Sequence, residues 1–219
     1  MNGQIYAVLT GDVVKSSTLE GYQERLREAL DLFEGEYREV LPLPVDRFSG
    51  DSFQVLMNNY ARSLRASLYI YTKLASFEPQ IPVRISIGLG KIDGIPQERV
   101  SIGDGRAFRL SGSTLEGMKN HQRVSFRGAE SVASSGTNLL LQGSMDLLSG
   151  LLIGLSPAQA EVLWYQLRGY TQTEIARKTL RTQQTVSGIS IAGNWRNIEG
   201  FVDSFEEGFA GKDNSHKRL

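Results

Sequence analysis

Residues 5–12 read Ile-Tyr-Ala-Val-Leu-Thr-Gly-Asp, a short and nearly continuous apolar run that ends in a glycine and an aspartate. A run of this kind predicts a buried central β-strand over residues 5–10. Apolar residues then recur at spacings of three and four from Leu19 to Tyr37, which predicts an amphipathic helix that continues to about Val40. The stretch Ser17-Thr-Leu-Glu20 has the spacing of a capping box for that helix.

Further strands and helices follow in an order that predicts the fold class. Strands are predicted over residues 45–48, 52–57, 83–89 and 123–126, and helices over 59–77 and 104–118. The first two of these strands form a hairpin with Ser49-Gly50-Asp51 at its tip, and residues 83–89 alternate apolar and polar like a half-buried strand. The resulting order is that of the ferredoxin-like βαββαβ arrangement, so we expect an α+β fold.

The last third of the chain predicts a small all-α unit. Residues 128–137 are rich in Gly, Ser and Ala and indicate a linker or a loose turn, and a leucine-rich helical connector is predicted over 138–155. Ser156-Pro157 and Thr171-Gln-Thr-Glu174 are helix-start signals, and a third helix is predicted over Thr182–Ser190. Three short helices of this kind suit a helix-turn-helix. The predicted division is 1–137, 138–155, 156–207 and a flexible tail over 208–219.

Composition excludes several classes of function. The chain has 219 residues, with 24 basic and 24 acidic residues, so a net charge of zero gives no whole-chain case for a nucleic-acid coat. It has no cysteine and only two histidines, which excludes disulfides, thiol nucleophiles, iron–sulfur clusters and a His-rich metal site. The sequence shows neither a signal-peptide pattern nor an apolar stretch long enough for a bilayer, so we expect a cytoplasmic protein without membrane contact.

Two Gly-Asp dipeptides become neighbours in the predicted topology. Asp12 follows the first strand and Asp51 lies at the hairpin tip, at the same edge of the sheet. Carboxylate oxygens are the ligands that Mg²⁺ and Mn²⁺ prefer, and the adjacent Gly11 and Gly50 would let a phosphate approach the backbone. The alternative is that both dipeptides are ordinary turns, because Gly-Asp is common in turns.

A succession of motifs resembles that of class III nucleotidyl cyclases. The motifs are Gly11-Asp12-Val-Val, Asp46-Arg-Phe-Ser-Gly50-Asp51-Ser-Phe, Arg84-Ile-Ser-Ile-Gly-Leu-Gly90 and Gly103-Asp104-Gly-Arg-Ala107-Phe-Arg109-Leu. Over residues 4–200 the chain resembles the SatD family more closely, in which a cyclase-like, palm-type domain is joined to a C-terminal helix-turn-helix.

The resemblance implies roles for individual residues. Asp12 and Asp51 match the two metal-binding aspartates, Arg47 matches a base-contacting lysine, and Arg109 matches the arginine that stabilises the transition-state phosphate. Gly105 stands where cyclases have an asparagine, and Val100 stands at a base-selecting position. These two departures argue against cyclase turnover but are compatible with nucleotide or metal binding.

Two arginines of the predicted third helix are further candidates for nucleotide binding. Arg106 and Arg109 are three residues apart, so both can face one phosphate from that helix. The alternative is a solvated face or an ion pair with Glu98 or Asp104.

The C-terminal helices carry the candidate DNA-binding residues. The helix predicted over Thr182–Ser190 begins with short polar side chains, and basic side chains precede it. The candidates are Arg177, Lys178, Arg181, Thr182, Gln183, Gln184, Thr185 and Ser187. Gln reads adenine edges, and basic residues bind phosphates. Ala176 is small where two helices would cross, with Val186 packing beneath it, whereas Leu180 stands where such turns usually have a glycine. The alternative is a packing or dimerisation module that does not read DNA.

Three functional hypotheses follow. The first is a regulator whose cyclase-like domain binds a nucleotide, a divalent metal or both, and whose helix-turn-helix binds DNA as a homodimer. The second is an active, metal-dependent nucleotidyl cyclase or nucleotidyltransferase. The third is a catalytically inert protein-interaction module.

Overall fold

The computed structural model describes residues 4–210, and its first part is built on a five-stranded sheet. The elements in chain order are β1 (Tyr6–Val13), α1 (Tyr22–Tyr37), β2 (Asp46–Phe48), β3 (Ser52–Met57), α2 (Ser63–Ala75), β4 (Val83–Gly90), α3 (Arg106–Gly117) and β5 (Val124–Gly128). The strand order is β2-β3-β1-β4-β5, with β5 parallel to β4 and all other pairs antiparallel. The βαββαβ prediction is confirmed.

Both faces of the sheet are covered, because successive side chains of a strand point to opposite sides. Ala7, Leu9 and Ile85 belong to a large core with α1 and α2. Val8 and Leu56 point the other way and form a second cluster with α3 residues. Strand β4 was expected to be half-buried, but its polar face lies under α3, and Ser86 is fully buried.

Glycine at position 88 permits the close approach of α3 to β4. A Cβ placed on Gly88 would lie 2.3 Å from the carbonyl oxygen of Ala107 and 2.5 Å from the backbone nitrogen of Ser111. Both atoms belong to the helix backbone and have no freedom to rotate away. The small residue therefore sets the distance between helix and strand.

The start of α1 differs from the prediction. Ser17-Thr-Leu-Glu20 does not form a capping box; residues Ser16–Thr18 form a short 3-10 turn instead. Helix α1 then begins at Tyr22, and Gly21 before it has a φ of 64° and no side-chain cap. A glycine adopts this left-handed conformation without steric cost, so the chain turns at Gly21 and the helix begins after it.

Five helices complete the described chain. They are α4 (Ser135–Ile153), α5 (Pro157–Leu167), α6 (Gln172–Lys178), α7 (Gln183–Ala192) and α8 (Trp195–Ala210). Ser156 and Thr171 form the expected N-terminal caps of α5 and α6. Residues 129–134 form a turn within the stretch 128–137, between the end of β5 at Gly128 and the start of α4 at Ser135.

The last described helix ends later than predicted. Helix α8 continues through Ala210, three residues into the predicted tail, and the rest of that tail lies outside the described residues. Between residues 4 and 210, no helix is both long and apolar enough to cross a membrane.

The C-terminal helices share the large core with the sheet. Trp164 of α5 is buried, with its ring centroid 5.6 Å from that of Tyr69 on α2. Burial raises the pKa of Tyr69 to about 12. Arg65 of α2 donates to both carboxylate oxygens of Glu206 on α8, at 2.7 and 3.0 Å. The domain boundaries proposed from the sequence stay a prediction.

Two substitutions of the same chemistry should have opposite effects on stability. Gly88→Ala forces α3 away from β4 and should lower the free energy of unfolding by about 1–3 kcal/mol. Gly112→Ala adds the same methyl group on α3, where a Cβ meets nothing within 4 Å. It should raise stability by about 0.5–1 kcal/mol, because alanine favours the helix. Urea denaturation measures both; equal effects of the two changes would contradict the close-packing argument.

Candidate functional site

Asp12 and Asp51 lie together at one end of the sheet. Asp12 is in cross-strand register with Ser52, the residue after Asp51. The backbone N–H of Val13 donates to the carbonyl oxygen of Asp51 at 3.0 Å. The two aspartates of the sequence prediction are therefore neighbours across β1 and the start of β3.

Arg84 of β4 binds both carboxylate oxygens of Asp12. The guanidinium Nε donates to Oδ1 at 3.0 Å and Nη2 donates to Oδ2 at 2.5 Å. Both side chains are about three-quarters buried, and a bidentate pair of this kind is among the stronger hydrogen-bonded contacts. The hydrogen bonds to Asp12 raise the pKa of Arg84 above its ordinary value. Arg84 also donates to the carbonyl of Met118, so the pair is tied to the end of α3.

The Asp51 carboxylate has local hydroxyl partners. Ser16 donates to Oδ2 at 2.8 Å and Ser52 donates to Oδ1 at 3.2 Å. Between residues 4 and 210, no three His, Cys, Asp or Glu side chains are grouped so that they could hold a metal ion. A hard divalent cation needs free oxygen ligands, and Arg84 occupies those of Asp12. As arranged, the pair does not fit the Mg²⁺ or Mn²⁺ that the sequence suggested.

The glycines beside the aspartates have structural roles here. A Cβ on Gly11 would lie 2.3 Å from Cζ of Phe53, because that ring covers Gly11 across the strand pair. Gly50 lies in the hairpin loop with a φ of 79°. Arg47 forms an exposed ion pair with Asp31 of α1, at 2.7 Å.

The two candidate phosphate-binding arginines of α3 have different surroundings. Arg109 forms an ion pair with Asp104 at 2.6 Å, which is one of the alternatives considered from the sequence. Arg106 lines a groove of about 580 Å³ between α3, β5 and α4.

The groove is rich in basic side chains. Besides Arg106 it is lined by Lys119, His121 and Arg127, and none of the four forms an ion pair with another residue of the described chain. Its one acidic lining residue, Asp146, accepts a hydrogen bond from Gln122. The groove therefore has the charge and the volume for a small anionic ligand.

A row of polar residues crosses the whole sheet beneath α3. Its members are in register from β2 to β5: Asp46, Gln54, Thr10, Ser86 and Ser125. Gln54 donates to the Thr10 hydroxyl at 3.0 Å, and Ser111 of α3 donates to the same oxygen at 2.7 Å. The alternation of polar residues in β4 was the only sign of this row in the sequence.

Asp46 joins the row to the loop that precedes α3. Its carboxylate accepts from Arg99 Nη2 at 2.7 Å and from the backbone N–H of Ser101 at 2.9 Å. Burial alone raises the pKa of Asp46, but the hydrogen bonds from Arg99 and Ser101 outweigh it and hold the pKa below its usual value. Sequence reasoning missed this residue because its partners are more than fifty positions away.

Helices α6 and α7 present the candidate DNA-binding residues. Ala176 and Val186 pack in one cluster, as expected. The residues exposed to solvent are Arg177, Lys178, Thr182, Gln183, Gln184 and Thr185, whereas Arg181 and Ser187 are partly buried.

Some of these side chains already have partners. Thr182 caps α7 by accepting from the N–H of Thr185, and Arg181 pairs with Glu161 at 2.6 Å. The ammonium of Lys178 lies 4.9 Å from the ring centroid of Tyr170. Leu180 has a φ of 54° and is 95% exposed, so this leucine adopts the conformation that a glycine usually supplies in such a turn.

Comparisons with known proteins return cyclase structures of low similarity. The catalytic core of a rhodopsin-guanylyl cyclase with converted specificity, in complex with ATPalphaS, is 14% identical with a TM-score of 0.44, over 64% of this chain and 81% of that one. The guanylyl cyclase Cya2 is 17% identical with a TM-score of 0.38, over 68% and 81%. A bacterial light-regulated adenylyl cyclase is 15% identical with a TM-score of 0.38, over 57% and 44%.

No protein-family model and no curated protein matches the chain. At these TM-scores the structural matches carry no argument about activity. The strand order and register of the chain itself define its fold.

Removal of Arg84 should create a response to metal. In Arg84→Met the Asp12 carboxylate loses its partner but keeps its place beside Asp51, so it becomes free for a cation. We expect the melting temperature of this variant to rise by about 2–4 °C with Mn²⁺, as for a gain of about 1 kcal/mol in a chain of this size. The unsubstituted protein should not respond. The control Asp12→Ala/Arg84→Met should also show no shift; an equal shift in all three proteins would contradict this interpretation.

Proposed function

We propose that this protein is a DNA-binding regulator whose sheet domain binds a nucleotide in the groove beside α3. The observation that carries the proposal is the exposed, polar first turn of α7, with Gln183, Gln184 and Thr185 directed to solvent. Helix α7 packs with α5 and α6 through Val162, Ile175 and Val186, which leaves this turn outside the apolar cluster.

The conformation of the α6–α7 turn supports a helix-turn-helix. Thr182 caps α7 with its side chain, and the left-handed Leu180 reverses the chain between the two helices. Helix α7 would enter the major groove with its first turn against base edges. Gln side chains there would bind adenine through paired hydrogen bonds.

The local charge limits the strength of DNA binding. Residues 157–200 contain five basic and three acidic residues, and Arg181 is paired with Glu161. Arg177 and Lys178 are exposed beside α7 and would neutralise phosphates. Few such contacts predict weak binding per chain that falls steeply with salt, and binding to one DNA site by a homodimer would double the number of contacts.

The groove supports a nucleotide as the regulatory ligand. Its volume of about 580 Å³ lies within the range of small-molecule sites. Arg106, Lys119 and Arg127 would bind the phosphates, and Arg106 is one of the nucleotide-binding candidates from the sequence. Metal-dependent nucleotidyl transfer, the second hypothesis, is supported by the proximity of Asp12 and Asp51, but the Asp12–Arg84 pair opposes it. The third hypothesis would apply if neither DNA nor a nucleotide binds.

DNA binding can be tested by fluorescence anisotropy with a mixed-sequence duplex and with duplexes selected from a random library. Arg177→Ala/Lys178→Ala should weaken binding to all duplexes alike and reduce the slope of log K against log salt by about two, one for each lost phosphate contact. Gln183→Ala/Gln184→Ala should weaken binding chiefly to the selected duplexes, because it removes base contacts.

The matched control for DNA binding is Lys119→Ala/Arg127→Ala, which removes the same charge from the groove. It should leave the affinity and the salt slope unchanged. Failure of the unsubstituted protein to bind any duplex at low salt would contradict the DNA-binding role, and equal losses in both charge variants would show that only net charge matters.

Nucleotide binding can be tested by thermal shift with ATP, GTP, CTP and UTP, without and with Mn²⁺. We expect at least one nucleotide to raise the melting temperature without metal, because basic side chains rather than a cation line the groove. Lys119→Ala/Arg127→Ala should abolish the shift, and Arg177→Ala/Lys178→Ala should retain it. A shift that needs Mn²⁺ and disappears in Asp12→Ala/Asp51→Ala would place the ligand at the aspartates instead. Chromatography of the same mixtures detects turnover.

A further inference from the structure

Helix α4 exposes an apolar surface that no other part of residues 4–210 covers. Its outer side carries Leu139, Leu140 and Leu147, which are 67%, 76% and 78% exposed, with Leu151 and Ile153 also exposed beside them. The helix contains only one charged residue, Asp146. Large exposed apolar patches mark interaction surfaces in soluble proteins.

The exposure of these leucines does not result from loose packing of α4. The opposite side of α4 is packed: Met145, Leu148 and Leu152 are buried in the large core. The hydroxyl of Tyr71 on α2 donates to the carbonyl of Leu152, which fixes the helix against the sheet domain. The rotation of α4 is therefore set from within, and its outer leucines point away from the molecule.

From residue 136 to residue 150, glycine and leucine alternate along this outer side with a regular spacing. Positions four and three residues apart are occupied, in order, by Gly136, Leu140, Gly143, Leu147, Gly150 and Gly154. A repeat of four and three is typical of the line of contact, or seam, along which one helix packs on a second helix.

No contact within residues 4–210 accounts for the two glycines at the centre of this seam. A Cβ placed on Gly143 or Gly150 meets nothing within 4 Å, and both residues have ordinary helical conformations without positive φ. Glycine inside a helix is less favourable than alanine. A second helix packed against this side would explain the glycines, because their lack of a side chain would let its backbone approach closely.

We propose that the occupant of this surface is a second copy of the chain, with the two α4 helices antiparallel about a two-fold axis on the outer side of α4, at the level of residue 145. In such a pair, two residues that are equally far from residue 145 in the sequence, one before it and one after it, lie opposite each other. Leu140 then lies against the partner's Gly150, and Leu147 against the partner's Gly143. Each leucine of the seam enters a gap left by a glycine, and the same contacts repeat on the other side of the axis.

The alternative arrangements are less complementary. A parallel pair would place Leu140 on the partner's Leu140 and leave Gly143 opposite the partner's Gly143, with a gap between them. A different protein would need a matching pattern of its own, whereas this surface matches itself.

The size of the surface sets the expected stability of the dimer. A helix of 19 residues is about 28 Å long. One helix face supplies less than the roughly 800 Å² per partner of a standard interface. The dimer should therefore dissociate on dilution. The interface does not depend on DNA binding, although a dimer would bring two copies of α7 to one duplex.

Sedimentation velocity of the full chain over a wide range of concentration tests the oligomeric state. We expect a reversible monomer–dimer equilibrium, and Leu147→Glu should weaken it at least tenfold. Gly143→Leu should weaken it as well, because the new side chain collides with the partner's Leu147 while meeting open space within the monomer. The control Gly112→Leu, in open space on α3, should leave the equilibrium unchanged. A chain that stays monomeric throughout, or dimers unaffected by both seam variants, would overturn the proposal.

The absence of cysteine allows a direct test of the pairing. Leu140→Cys and Gly150→Cys proteins, mixed and mildly oxidised, should form the mixed disulfide. Leu140→Cys alone should not cross-link, because the two copies of residue 140 would be about 15 Å apart along the helices, and a disulfide needs Cα atoms within about 7 Å. Cross-linking of Leu140→Cys with itself would overturn the antiparallel arrangement. These results do not depend on DNA or nucleotide binding.

Discussion

The close contact between α3 and β4 is the constraint on which the rest of this structure depends. Only a residue without a side chain fits at Gly88, and the resulting approach seals the second face of the sheet. Thr10, Ser86 and Ser111 are buried by this contact and must satisfy one another, because an unpaired buried hydroxyl is costly. The same placement of α3 brings Arg106 to the groove and Met118 to Arg84.

The site at the end of β1 is governed by the balance of charge. Two carboxylates as neighbours repel each other and favour a cation between them. In this chain the cation is a side chain, Arg84, held on the adjacent strand and bonded to both oxygens of Asp12. Asp51 is left with two serine hydroxyls as partners. Arg84 neutralises the charge of Asp12 alone, and the groove lined by basic residues lies elsewhere, beside α3 and α4.

The C-terminal helices are joined to the sheet by apolar packing and by ion pairs. Trp164 packs on Tyr69, and Arg65 connects α2 to Glu206 of α8 while Arg168 connects α5 to Glu36 of α1. Partly buried pairs of this kind resist separation more than exposed ones, because water screens them less. The proposed nucleotide groove lies against α3, β5 and α4 rather than against α1 or α2. Helix α4 shares the large core with α5, so a ligand that shifted α4 would act on α5 through that core.

The amino-acid sequence by itself determined the elements and their order, because local patterns carry that information. The apolar run of β1, the helical spacing of α2 and the caps at Ser156 and Thr171 each depend on neighbours a few residues away. Even the convergence of Asp12 and Asp51 followed from the order of strands.

Only the tertiary structure decided which groups are partners. Arg84 reaches Asp12 because β4 lies beside β1 in one particular register, and Arg99 reaches Asp46 across a loop. The side of α4 that remains uncovered was likewise decided by the packing of Met145, Leu148 and Leu152 on its other side. Partners far apart in sequence depend on register and helix rotation, and these are set by the packing of the whole core rather than by any short pattern.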